Sequence, residues 1–138
     1  MKFAEFLAQQ MDGSRDWTLR LIADLKGEDW TFQPAPGLAH PLWLCGHLAS
    51  SENLLIQVRC LGTKGLLDSA FSEHFPIGGP VKSACDHDYP PGQVVLDTMK
   101  TVHEQTLRAV RGMSESLLAE PAFAADGKSP HPHYRDKA

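Results

Sequence analysis

The sequence predicts an all-α fold forming most of an up-and-down helical bundle. Apolar residues recur at helical spacing through three long segments, near residues 3–26, 41–61 and 92–118. Prolines and glycines gather between these segments instead of inside them. No run alternates apolar and polar residues as a half-buried strand requires, so no sheet is expected beyond incidental bridges. At 138 residues the chain reads as one domain, 1–138, long enough to bury a core.

In the first helix Phe3, Leu7, Met11, Ser14, Thr18, Leu21 and Leu25 form a heptad-like stripe with Ile22 beside it. Gly13 weakens this helix by about 1 kcal/mol relative to alanine, which makes Asp12-Gly13-Ser14 the place for a bend. Ser14 and Thr18 are small polar members of a bulky stripe, and they read either as packing positions or as room for a pocket. Gln33-Pro34-Ala35-Pro36-Gly37 ends the region. Pro41 suits the first turn of the second helix, and Gly62 marks its stop. Residues 63–91 read as a crossover with a short helix between Leu66 and Phe75. The third long helix starts at Pro91-Gly92 and carries Val95, Met99, Val102, Thr106, Val110, Met113 and Leu117 on its apolar face. Residues 122–138 read as loop or tail.

Composition narrows the function. The chain is 42% apolar and carries a formal charge of −4, with a pI near 5.9. It therefore lacks the basic face of a general nucleic-acid binder. No stretch reaches the ~18 consecutive apolar residues of a membrane span. Met1-Lys2-Phe3-Ala4-Glu5 does not open a signal peptide, so a cytoplasmic protein is expected. Cys45, Cys60 and Cys85 are odd in number and form no Cys-x-x-Cys pair, which suits reduced thiols. Cys45 and His47 are two apart on a helix and point about 200° away from each other, so Cys45 reads as a packing residue.

The most informative stretch is Leu42-Trp43-Leu44-Cys45-Gly46-His47-Leu48-Ala49, followed by Glu52. At about 100° per residue, Leu44, Leu48, Ser51, Leu55 and Val58 fall within roughly 60° of arc, which predicts them as the buried face. His47 lies at the edge of that arc with Ser51 one turn on. A buried imidazole needs a partner, and the sequence leaves a carboxylate, a carbonyl, water and a metal all open. Glu52 is about 140° from His47 around the helix; it reads as an ion pair or hydrogen bond to the first helix, or more boldly as a general base.

The other histidines offer less. His40 caps or flanks the second helix, about 10.5 Å along the axis from His47. His103 reads as a partly buried structural histidine. His74 and His87 fall in the crossover, and Asp86-His87-Asp88 reads as a solvated charged loop. In His131-Pro132-His133 an extended backbone puts both rings on one side, although mobile surface histidines are the plainer reading. No Gly-x-Ser-x-Gly, phosphate loop or His-Glu-x-x-His is present, and no catalytic residue can be assigned.

Pro34-Ala35-Pro36-Gly37, Trp43-Leu44-Cys45-Gly46-His47-Leu48-Ala49 with Glu52, and the long helix entering from Pro90-Pro91-Gly92 together resemble the DinB/YfiT-like superfamily. The resemblance implies a four-helix bundle with a long crossover between its second and third helices. It also implies one divalent metal, nickel or zinc, and a metal-dependent transferase (thiol-dependent in some relatives) or hydrolase acting on a small molecule. His47 matches the family's second-helix ligand, and Ser14, Thr18 and Ser51 would line the pocket. The family's other two ligands belong to a His-x-x-x-His in the last helix, and no such motif occurs here. Asp136-Lys137-Ala138 falls about where that helix would begin, so the chain is expected to be either part of a longer protein or a shortened member without the site. The alternative function is a non-catalytic dimeric scaffold or small-ligand binder. Three helices leave apolar surface uncovered, which predicts a homodimer through the first or third helix.

Overall fold

The computed structural model describes residues 1–138. It is helical, and its β-pairing is confined to isolated bridges at Gly37–Val81 and Phe123–Pro130. Helix α1 runs Phe3–Ile22, followed by a 3₁₀ turn at Gly27–Thr31. Helix α2 runs Pro41–Glu52 and continues as a π-helix over Asn53–Cys60. Short α3 covers Ser69–Ser72, α4 Gly92–Arg111 and short α5 Glu115–Leu118. Three long helical segments thus appear where the periodicity placed them.

Helix α4 is the centre of the packing and touches both α1 and α2. Of its predicted stripe, Val95, Met99, Val102, Thr106, Val110 and Met113 are buried, and Leu117 is half-buried. The helix is shorter than expected, ending at Arg111. Gly112 breaks it, and the Ser114 hydroxyl accepts from the Leu117 amide at 3.1 Å to start α5.

Helix α1 corrects the sequence reading twice. It stops at Ile22 and not Lys26, because Gly27 takes φ 51° and the Asp29 carboxylate accepts from the Lys26 amide. It also runs unbroken through Gly13. Its fully buried residues are Ala4 and Ala8, which let the helix approach the cluster of Cys60, Leu107, Val110 and Leu118. Leu7, Met11, Thr18, Ile22 and Leu25 are half-buried, while Phe3, Ser14 and Leu21 are exposed.

On α2 the predicted buried arc is wrong. Leu44, Leu48 and Leu55 are exposed, and Ser51 and Val58 are half-buried. The core side is Leu42, Trp43, Cys45, Gly46 and Ala49, followed by Asn53, Gln57 and Cys60. Two causes are visible. The small Gly46 and Ala49 admit Phe75 and α4, so this face packs closest. Past Glu52 the ladder switches to i→i+5 bonding, as in Leu61 N–H to Ile56 carbonyl, which rotates later side chains away from an ideal α-helical count.

The crossover is folded down, not loose. Asp68 caps α3 through the Phe71 amide, and the Asn53 side chain accepts from the Leu66 amide at 2.6 Å. The final segment is also docked: His131 N–H reaches the Ala122 carbonyl and Lys137 N–H the Leu118 carbonyl. The Lys137 ammonium is 4.7 Å from the Phe123 ring centre and 3.3 Å from Glu120. No helix is long and apolar enough to cross a membrane.

Candidate functional site

With α4 contacting both neighbours, α1 and α2 leave a groove of about 430 Å³ between them. Ser14 and Thr18 of α1 and Ser51 of α2 line it, along with Met11, Leu48 and Leu55. Two of the hydroxyls hydrogen-bond their own helix: Ser14 donates to the Gln10 carbonyl at 2.9 Å and Thr18 to the Ser14 carbonyl at 3.1 Å. The three pocket residues predicted from sequence therefore converge. Their room comes from small size on a bulky stripe.

His47 is half-buried and lies just behind this lining, separated from the groove by Ser51. Its ring stacks on Trp43, four residues earlier, with centroids 4.7 Å apart and planes 9° apart. Nδ1 is 3.4 Å from the Phe75 carbonyl, and Nε2 is 3.2 Å from the Ser51 hydroxyl. Stacking and the carbonyl together fix the ring. Nδ1–H donating to Phe75 leaves a lone pair on Nε2 that accepts from Ser51. His47 itself lines a separate depression with Ser50, Ser51, Ser72, Phe75 and Ile77.

Beneath the groove lies an ionic network that the sequence showed only in part. Glu52 accepts from Arg15 Nη2 at 2.5 Å through one oxygen and meets His103 Nδ1 at 2.8 Å through the other. The Glu52 and Arg15 side chains are each about 10% exposed, and His103 is 8% exposed. Arg15 Nη1 also donates to the Met99 carbonyl at 3.0 Å, and His103 Nε2 lies 3.3 Å from Asp12. The network joins α1, α2 and α4. The plain reading of Glu52, a bond to the first helix, is what the structure shows. Arg15 carried an unused signal: it is four residues after Met11 and three before Thr18, a charge beside an apolar stripe.

A DinB superfamily model matches residues 10–135. The chain belongs to the DinB superfamily. No curated protein and no solved structure matches it.

In this DinB chain His47 lies on the second long helix with its Nδ1 against a backbone carbonyl. Ligating histidines usually give their second ring N–H to a carbonyl or carboxylate, which is what Phe75 offers Nδ1. The donor set nevertheless stays incomplete, because nowhere do three His, Cys, Asp or Glu side chains come together to hold an ion. The remaining histidines are engaged elsewhere. Buried His40 caps α2, its Nδ1 accepting from the Trp43 amide at 3.1 Å; burial lowers its pKa, opposed by the backbone at Lys82 and Trp30. His74 Nδ1 and His87 Nε2 meet at 2.9 Å, so the crossover pairs two histidines that sequence left unconnected. The His87 pKa is lowered by desolvation first, then by His74 and Lys82, with Asp88 opposing. His131 does not pair with His133 around a common point, because its Nδ1 faces the amides of His133 and Tyr134. Cys45 is buried as expected, and burial raises its thiol pKa, leaving it an inert packing group.

Proposed function

We propose that this DinB chain supplies one imidazole, His47, and a small-molecule groove to a divalent-metal-dependent transferase or hydrolase. The observation that carries the reading is the orientation of His47: Nδ1 faces the Phe75 carbonyl and Nε2 turns toward Ser51 at the groove wall. Nickel or zinc bound there would make a coordinated thiol or water nucleophilic near neutral pH. The chain's own part is to hold the ring against Trp43 and to receive a small substrate between Met11, Leu48 and Leu55 with hydroxyls at Ser14, Thr18 and Ser51. One protein nitrogen does not retain such an ion against water, so the proposal requires two further donors from another segment or a second copy.

The second reading, a small-ligand binder without metal, is favoured by Ser51, which already satisfies His47 Nε2. Metal analysis of untagged protein separates the two. The enzyme reading expects one ion per site and its loss in His47→Ala, whereas Ser51→Ala, which frees Nε2, keeps or tightens binding. Metal retained with unchanged affinity in His47→Ala removes His47 from the site. No stoichiometric metal in the assembled protein favours the binder.

We also propose a homodimer through α1. The apolar stripe of α4 is buried inside the chain, whereas Trp17 and Leu21 of α1 are 65% and 66% exposed. Sedimentation velocity at tens of micromolar should show a dimer that Trp17→Glu with Leu21→Glu converts to monomer. A wild-type monomer at high micromolar concentration overturns this assembly.

A further inference from the structure

The crossover has two arms, residues 66–77 and 80–91, joined at Gly78-Gly79. Phe75 from the first and Val81 from the second enter the same core cluster as Trp43 of α2. One hydrogen bond links the arms: His74 Nδ1 meets His87 Nε2 at 2.9 Å, and both rings are half-buried. Every other crossover bond stays within one arm or reaches another element. Tyr89 Oη donates to the Lys82 carbonyl, for example, and the Val81 amide donates to the Gly37 carbonyl. Aromatic neighbours hold the two rings. His87 packs edge-on against Tyr89 with centroids 4.4 Å apart, and His74 tilts against Phe75 at 6.0 Å.

A bond between two imidazoles depends on its proton count. With one N–H and one lone pair at the shared position the contact is attractive. Charging one ring at its outer nitrogen keeps that arrangement. Charging both sets N–H against N–H and cation against cation, so the pair titrates as a unit. No carboxylate bonds either ring to offset the second charge. Glu73 and Lys82 line the same recess, Asp88 adjoins His87, and Asp86 accepts from Ser83. Burial raises the Tyr89 pKa, so it stays a neutral phenol. From α2, Trp43 lines the recess, buried His40 meets Tyr89, and His47 lies beyond the Phe75 carbonyl.

We propose that His74 and His87 form a pH-sensitive clasp, which joins the crossover arms while at most one ring is charged and parts them when both are. Desolvation first, then His74 and Lys82, hold His87 below the ordinary imidazole value, with Asp88 opposing. Closure is therefore complete above about pH 6.5 and is lost as the pH falls through the lower folded value. Opening frees the first arm, whose Phe75 ring otherwise seats on Gly46 of α2. The clasp needs neither a metal nor the activity proposed for His47.

Nuclear magnetic resonance of the whole chain from about pH 7.5 to 5.5, above the ordinary carboxylate range, tests the clasp. The readout is amide protection corrected for the intrinsic pH dependence of exchange. The His74 and Phe75 amides, which close the end of α3, should lose protection as the pH falls. The loss should approach about tenfold per pH unit, the limit for opening that takes up one proton. Amides within α4 should keep their protection. His87→Gln places an amide near Nε2 that can donate to His74 or accept from it and takes up no proton. That variant should stay protected across the whole window. An equal response in wild type and His87→Gln assigns the loss to another group, His40 first, and overturns the clasp. Wild-type protection that does not change with pH overturns it too. Where the variant folds poorly, ring nitrogen shifts of the wild type decide. The second protonation of the pair should coincide with the loss of amide protection, and two charged rings with closed arms overturn the proposal.

Discussion

Glu52→Ala should destabilise the protein by about 3–5 kcal/mol, the range found when one partner of a buried ion pair is removed. The cost arises from what remains. Arg15 and His103 are both about nine-tenths buried, and each would lose the carboxylate oxygen it faces. A buried guanidinium left with only the Met99 carbonyl draws in water or swings out, and either response opens the space between α1 and α2. Glu52→Gln keeps the shape and one acceptor, so it should cost less than the alanine variant. The exposed pair Arg20–Asp16 is the control: its side chains are 75% and 59% exposed, and Arg20→Ala should cost no more than about 0.5 kcal/mol. Urea unfolding midpoints at constant slope measure all three. A Glu52→Ala loss below about 1 kcal/mol would show that the network does not fasten the three helices.

The elements that were legible in the sequence are those where one strong period meets one partner. Helix α4 is read correctly from Val95 to Val110 because a single face carries nearly all its burial. Family membership was legible in the Trp43–Ala49 stretch, and Ser14, Thr18 and Ser51 lie along one groove, where small polar residues on bulky stripes leave space. Helix α2 was misread for a physical reason. Leucines mark where apolar area is large, but glycine, alanine and cysteine mark where backbones approach, and here approach decided the face. The π-helical turns after Glu52 added a rotation that a fixed period does not contain. The His74–His87 pair and the Glu52–His103 bond join residues 13 and 51 apart, and only the folded crossover and the α2–α4 packing bring them together.

Gly46→Ala should destabilise the protein although alanine is the better helix former by about 1 kcal/mol. Gly46 is buried on α2 with the Phe75 ring seated against it, and an added methyl would overlap three atoms of that ring. The ring has little freedom to yield. Phe75 is 2% exposed, and its ring lies 5.1 Å from Phe71 and 5.9 Å from Tyr89, centroid to centroid. Overpacking of this kind costs about 1–3 kcal/mol, enough to outweigh the helix preference. Phe75→Leu removes the ring and should restore part of the loss in the Gly46→Ala background, giving a coupling of at least about 1 kcal/mol in the double-mutant cycle. The same shift reaches the candidate site, because the Phe75 carbonyl is the group that faces His47 Nδ1. The His47 ring proton and nitrogen resonances should therefore move in Gly46→Ala while those of His131, whose Nδ1 accepts from the His133 and Tyr134 amides, stay in place. A Gly46→Ala protein more stable than wild type, with His47 resonances unchanged, would mean that the crossover does not seat Phe75 on α2 and does not orient His47.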